Sequence, residues 1–168
     1  MPSNDPSAWV RRWAASIRPG GAVLDVAAGS GRHSRFLASL GFEVEAVDRD
    51  VSQLAGAAPG VRATEADVEA GPWPFAGRRF DAIVVTNYLH RPLLPILVDS
   101  LEPGGLLVYE TFARGNERFG KPSNPAFLLA PGELLEAVRG RLRVLAFEDL
   151  VVDSPAPAAI QRIAARRE

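Results

Sequence analysis

Val23-Leu24-Asp25-Val26-Ala27-Ala28-Gly29-Ser30-Gly31-Arg32-His33-Ser34 is the stretch on which the fold turns. An apolar run ends in two glycines one residue apart, and an amphipathic segment starts at once. A buried parallel strand turns into a helix in this way, leaving the backbone bare enough for a ligand to approach. A dinucleotide-binding turn wants G-x-G-x-x-G, and the third glycine position here holds Ser34. Taken alone, the segment also reads as an ordinary strand-to-helix turn.

Outward from this turn, apolar strands alternate with amphipathic helices, which predicts a mostly parallel sheet covered on both faces. Pro6 to Ile17 reads as a helix with Trp9, Val10, Trp13 and Ile17 on one stripe, capped by Asp5. Strands are expected at Ala22–Ala27, Phe42–Asp48, Val61–Ala66, Phe80–Thr86 and Leu106–Phe112. Helices are expected at Arg32–Leu40, Asp50–Ala57, Leu93–Leu101 and Pro131–Val138. Glu69 to Arg79 reads as a loop, and Glu102-Pro103-Gly104-Gly105 as a tight turn. The last two strands, Leu142–Val151 and Ala158–Ala165, have too short a link for a helical crossover, so they must pair antiparallel. Ala113 to Ala130 has no convincing element and is longer than compact domains tolerate unless the loop has a job.

Composition narrows the function. A chain of 168 residues suits one domain, residues 1–168, and 47% hydrophobic content suffices for a core. The formal charge of −1 gives no global field to draw nucleic acid or a membrane surface. Without cysteine there is no disulfide framework, thiolate metal site or thiolate nucleophile. His33 and His90 are the only imidazoles, so no metal site is expected. No apolar run approaches about 18 residues and no signal pattern opens the chain, so the expected setting is the cytosol.

Asp25 inside the first strand, followed by the two glycines, resembles the first motif of class I S-adenosylmethionine-dependent methyltransferases. Gly29-Ser30-Gly31-Arg32-His33-Ser34 is similar to the small methyltransferases of the tellurite-resistance type. Leu101-Glu102-Pro103-Gly104-Gly105-Leu106-Leu107-Val108 looks like that family's approach to its fifth strand, and Phe80-Asp81-Ala82-Ile83-Val84-Val85 like its fourth-strand entry. The chain departs from the family at Ala27, where a small residue or glycine is usual, and at Ala28, where cysteine is usual.

The resemblance implies an α/β three-layer sandwich: a doubly wound, seven-stranded, mostly parallel sheet with an antiparallel last strand, the Rossmann-like methyltransferase fold. It also implies S-adenosylmethionine as cofactor and S-adenosylhomocysteine as product, held by residues at the carboxyl ends of the strands. Asp25, Ala27, Gly29, Gly31 and Arg32 would surround the amino-acid end. Asp48, 17 residues after Gly31, would accept the ribose hydroxyls, with Arg49 beside it. Asp67 would take the adenine amine, Val68 would flank the ring, and Thr86 and Asn87 would lie near the methyl. Asp48 and Asp67 also read as helix caps, and Asp25 as a partner of a neighbouring turn.

Candidate catalytic groups are His90, Tyr88 and Glu110. His90 reads either as a base or as a residue orienting its loop. Arg91, before Pro92, is expected to be extended and aimed into the cleft. Glu110 needs a partner, with Arg91 and Arg118 as candidates. The 113–130 loop reads as an acceptor-side lid, and the acceptor as a small molecule. An RNA methyltransferase working with a partner stays open because of clusters at Arg139, Arg141, Arg143 and at Arg162, Arg166, Arg167, which alternation on edge strands also explains as solvated faces. A non-catalytic adenosylmethionine-binding domain and a nicotinamide-dependent oxidoreductase are the remaining alternatives. Oligomeric state and the attacked atom leave no trace in the sequence.

Overall fold

Apolar runs bounded by turns pair into one sheet of seven strands in the computed structural model, which describes residues 4–54 and 58–168. The strands are β1 (Ala22–Val26), β2 (Glu43–Asp48), β3 (Val61–Glu65), β4 (Phe80–Thr86), β5 (Leu101–Phe112), β6 (Arg143–Val152) and β7 (Ala158–Arg166). Their order is β3-β2-β1-β4-β5-β7-β6, with β1 to β5 parallel and β7 antiparallel to both β5 and β6. Strand order reverses between β1 and β4, so the carboxyl ends of five strands meet at one edge around that switch point.

Among the described residues, four α-helices cover the two faces: α1 (Ala8–Ala14), α2 (Arg32–Ser39), α3 (Leu94–Asp99) and α4 (Glu133–Val138). Alternation along the strands sorts the core into two layers. Val23, Val44, Ala82, Val84 and Val108 pack on Trp9, Val10 and Ala14 of α1 and Leu37 of α2. Leu24, Ile83, Val85, Leu107 and Ile163 pack on Leu97, Val98, Leu134 and Val138 of α3 and α4. Trp9 is 1% exposed and its indole N–H donates to the Ile163 carbonyl at 3.1 Å. Helix α1 therefore packs on the sheet face, and Trp9→Ala would cost about 3–5 kcal/mol.

Several expectations need correction. Ser7, not Asp5, caps α1 by accepting from the Val10 amide at 3.1 Å, which leaves Pro6 ahead of the cap. Of the helix expected at Asp50–Ala57, Ser52–Leu54 form a turn, and residues 55–57 lie outside the described residues. Glu102–Gly105 is no separate turn. It is absorbed into β5 as an irregularity, where pairing with β4 jumps from Phe80–Leu101 to Ala82–Leu106. The 113–130 segment holds short 3₁₀ turns at Asn116–Arg118 and Pro125–Phe127 and a parallel bridge from Ala113 to Leu129. Strand β7 lies inside the sheet, so its arginines are not on an edge.

Candidate functional site

The turn after β1 is knit by residues close to it in the sheet. Ser34 opens α2 with its hydroxyl donating to Asp25 at 2.6 Å, and both side chains are buried. The serine at the third glycine position and the acid in the strand therefore explain each other. Burial pushes the Asp25 carboxyl up from 3.8 to about 6, while the Ser34 hydrogen bond pulls the other way. Gly29, at φ +58°, has no neighbour within reach of an added Cβ, so its face is open. Gly31, at φ +85°, is closed in by Leu54, so a side chain is excluded there by backbone and neighbour together. Two residues other than glycine also have positive φ: Ala27 at 55° and Asn87 at 54°. They end β1 and β4, the two strands of the switch point, where backbone strain is concentrated.

Asp48 accepts from the Gly29 amide at 2.9 Å and from the Asp50 amide at 3.0 Å, one to each oxygen. It both shapes the turn and keeps further lone pairs for a ligand. Asp67 accepts from the Glu69 and Ala70 amides on one oxygen, and these bonds hold its carboxyl below the usual carboxylate range. Ala27, Asp48, Arg49, Asp67, Val68 and Tyr88 line one cavity of about 150 Å³. A second, of about 260 Å³, shares Glu69 and Tyr88 with it and adds Asn87, Thr111 and Phe127. The third and largest, about 700 Å³, shares Asn87 with the second and includes Arg32, Glu110, Asn116, Lys121 and Arg162. Their shared lining residues set the three side by side along the carboxyl edge. A separate cavity of about 400 Å³, lined by Ala22, Glu43 and Arg78 at the opposite edge, holds none of the sequence-nominated residues.

Asp25 lies beneath the turn and lines none of these cavities. Thr86 meets His33, a residue the sequence reading did not single out. The Ser7 amide donates to His33 Nε2 at 3.0 Å, and Nδ1 faces Thr86 Oγ1 at 3.2 Å. A backbone amide can only donate, so Nε2 carries the lone pair, Nδ1 the proton, and the ring is neutral. Burial, aided by the Arg32 charge, lowers its pKa from 6.5 to about 4. No local signal marks His33, because its partners lie 26 and 53 residues away. Arg32 donates to the Asp5 carbonyl at 2.8 Å and so ties the N-terminal segment to the same place.

The Tyr88 hydroxyl donates to Glu69 at 2.7 Å, and His90 Nδ1 lies 3.6 Å from the other Glu69 oxygen. Burial, the Glu69 bond and the Glu69 charge all raise the Tyr88 pKa, so the phenol keeps its proton. Glu110 pairs with Arg162 at 3.1 Å, not with Arg91 or Arg118, because Glu110 lies opposite Arg162 in the β5–β7 register. Arg162 also meets Glu148 at 3.2 Å, completing a row across three strands. Arg91 is not extended into the cleft. It opens a 3₁₀ turn, pairs with Glu133 at 2.6 Å and donates to the Ala126 and Leu128 carbonyls. In the basic clusters, Arg139 pairs with Glu136, Arg141 with Asp99 and Arg143 with Glu168. Arg166 and Arg167 donate to backbone carbonyls. Among the described residues, no helix is long and apolar enough to cross a membrane.

Comparison with known proteins agrees with this fold. Residues 23–105 match the family described as a methyltransferase domain. A protein-L-isoaspartate O-methyltransferase from Methylorubrum populi is 33% identical over 123 residues, which cover 63% of this chain and 57% of that relative. TehB from Haemophilus influenzae superposes with a TM-score of 0.82 at 19% identity, covering 97% of this chain and 63% of its own. The 1,6-didemethyltoxoflavin-N1-methyltransferase of Burkholderia thailandensis, solved with S-adenosylhomocysteine, gives 0.67 at 22% identity, covering 95% of this chain and 78% of its own. The chain thus spans less than two thirds of the first two of these proteins. With its motif turn and its strand order, the chain has the Rossmann-like methyltransferase fold seen in TehB, and from β1 into β5 it is similar to the methyltransferase-domain family.

Proposed function

We propose that this chain, as one domain over residues 1–168 acting in the cytosol, transfers the methyl group of S-adenosylmethionine to a small-molecule acceptor. The observation that carries the reading is the row of three cavities across the switch point, with Tyr88, Glu69 and Asn87 in their shared walls. Asp48 would accept from the ribose hydroxyls, Asp67 and Val68 would meet the adenine, and Arg49 would border the small cavity. The open face of Gly29, with Ala27, Thr86 and Asn87, would surround the amino-acid end. Asp25 would act from below by fixing Ser34, and Gly31 by admitting Leu54.

Bound there, the cofactor supplies a methyl on a sulfonium whose leaving group is a neutral thioether. The protein's task is then largely to hold the acceptor in line, an entropy effect that can reach about 7–11 kcal/mol. Tyr88, hydrogen-bonded to Glu69, would stand where the first two cavities meet, and His90 would back it through the same Glu69. Glu110, fixed by Arg162, would form a wall of the acceptor cavity. The Burkholderia neighbour, solved with 1,6-didemethyltoxoflavin bound, supports the small-molecule class. Because the arginine clusters are engaged with acids and carbonyls, they no longer favour an RNA acceptor.

Calorimetric titration with S-adenosylhomocysteine, with NADH as control, tests the reading. Micromolar binding of the first alone is expected. Binding of NADH alone, or of neither, would sink it.

A further inference from the structure

The large cavity has a charge of its own. The chain carries −1 overall, yet among the described residues this one cavity has Arg11, Arg32, Arg162 and Lys121 against Asp5 and Glu110. Arg162 is neutralised between Glu110 and Glu148. Arg11 and Lys121 are not. Both are exposed, Arg11 on α1 and Lys121 in the 113–130 loop, and among the described residues neither has an ion pair; the Arg11 guanidinium lies over the Phe36 ring, 5.8 Å from its centroid. Lys121 is the only lysine in the sequence. Between them the walls include Phe112, Phe119 and Ile160. Two uncompensated cations over apolar walls suit a ligand with an apolar body and one negative end.

The cavity also has no suitable base. Neither histidine nor tyrosine lines it. Glu110 is engaged by Arg162, and both ends of the Asn116 amide are occupied, by the Pro122 carbonyl and the Ala159 amide. The His33 lone pair is taken by Ser7. Carboxylates are weak bases toward a hydroxyl or an ammonium group. An acceptor already ionised at neutral pH needs no base.

Resting on the methyl-transfer reading above, we infer that the acceptor is an apolar monocarboxylate and that its carboxylate oxygen takes the methyl. A lone pair of that oxygen forms the new C–O bond as the C–S bond breaks and its electron pair remains on sulfur. The products are a methyl ester and S-adenosylhomocysteine, and no proton moves. Opposite charges are consumed as the bond forms, a change that apolar walls favour. Arg11 and Lys121, at exposed positions, hold one carboxylate oxygen, and the other oxygen faces the methyl.

The test uses the full chain saturated with S-adenosylhomocysteine and titrated with benzoate, phenylacetate and hexanoate, each paired with its amide. Each carboxylate is expected to bind at least about tenfold tighter than its amide, a gap of about 1.4 kcal/mol. Arg11→Ala with Lys121→Ala should close most of that gap and leave S-adenosylhomocysteine affinity unchanged. With cofactor labelled in its methyl group, the product label should be released as methanol by mild alkali, and the double variant should raise KM at constant kcat. Parity within each pair, no uptake of any carboxylate, or an alkali-stable label overturns the inference while the cofactor site stands. Failure to bind S-adenosylhomocysteine removes the methyl-transfer reading, and this inference falls with it.

Discussion

The turn after β1 and the loop after β5 close the same edge of the sheet, but by different means. In the turn, Asp48 takes the Gly29 and Asp50 amides and Asp25 takes Ser34, all partners within 19 residues. In the 113–130 loop, side chains from far along the chain serve as anchors. Asn116 reaches Ala159 across 43 residues, Gln161 takes the Leu134 amide and donates to the Ala130 carbonyl, and Arg91 serves two loop carbonyls. The turn gets its shape from its own motif, the loop from a few distant side chains. Damage to the loop should therefore unsettle the fold and spare the cofactor, while damage at the turn should do the reverse.

The largest expected effect is at Asn116, which is 2% exposed. Asn116→Ala leaves the Ala159 amide and the Pro122 carbonyl without partners, a loss of about 3 kcal/mol. Urea unfolding would measure it. S-adenosylhomocysteine affinity should change less than about twofold, within about 0.4 kcal/mol. A large loss of affinity would mean that the loop and the turn are one unit.

Next come two opposed titrations inside the turn. Asp25 is raised to about 6 from 3.8, so its contribution is full below pH 3.8 and is lost as pH rises through about 6. His33 is lowered to about 4 from 6.5, so its contribution is lost as pH falls from 6.5 through about 4. Each shift corresponds to about 3 kcal/mol, and the two offset each other between pH 4 and 6. In Asp25→Asn, stability should rise with pH across that window; in His33→Gln it should fall. Equal slopes in the two variants would show that neither group titrates as its burial dictates.

Whether a feature was legible in the sequence follows the same division. The glycine turn, the alternation of strands and helices and the antiparallel final hairpin are local patterns, and the fold has all of them. The edge acids Asp48 and Asp67 were legible because strand ends follow from those patterns. What escaped depends on register or on distance. Glu110 was matched to the wrong arginine because only the β5–β7 register brings Arg162 opposite it. Pro103-Gly104-Gly105 reads locally as a turn, but β4 pairs on either side of it and β5 runs through. Arg91 was aimed at the cleft by its proline neighbour, while the loop carbonyls and Glu133 draw it away. His33 gave no signal, since both its partners come from other elements.

A smaller effect separates Asp48's two tasks. Asp48→Ala should weaken S-adenosylhomocysteine about 100-fold, about 2.7 kcal/mol, through the ribose contact proposed for it. The lost bonds from Gly29 and Asp50 are at an exposed turn, and unfolding should register only about 1 kcal/mol. Calorimetry and unfolding on the same sample compare the two. Equal losses would make Asp48 a turn residue and nothing more.

The smallest effect concerns the strain at the switch point. Ala27 and Asn87 share the same left-handed backbone, at φ 55° and 54°, but they do not bear it equally. Alanine's Cβ crowds the following carbonyl there, whereas asparagine visits this region readily because its side chain bonds locally. Ala27→Gly should raise stability by about 1 kcal/mol, the relief of that crowding less the extra entropy of an unfolded glycine. Asn87→Gly has little crowding to relieve and should gain nothing. The difference in melting temperature between the two variants is the measurement. An equal gain from both would mean that the left-handed backbone costs alanine and asparagine alike, and that the asparagine side chain gives no local relief at Asn87.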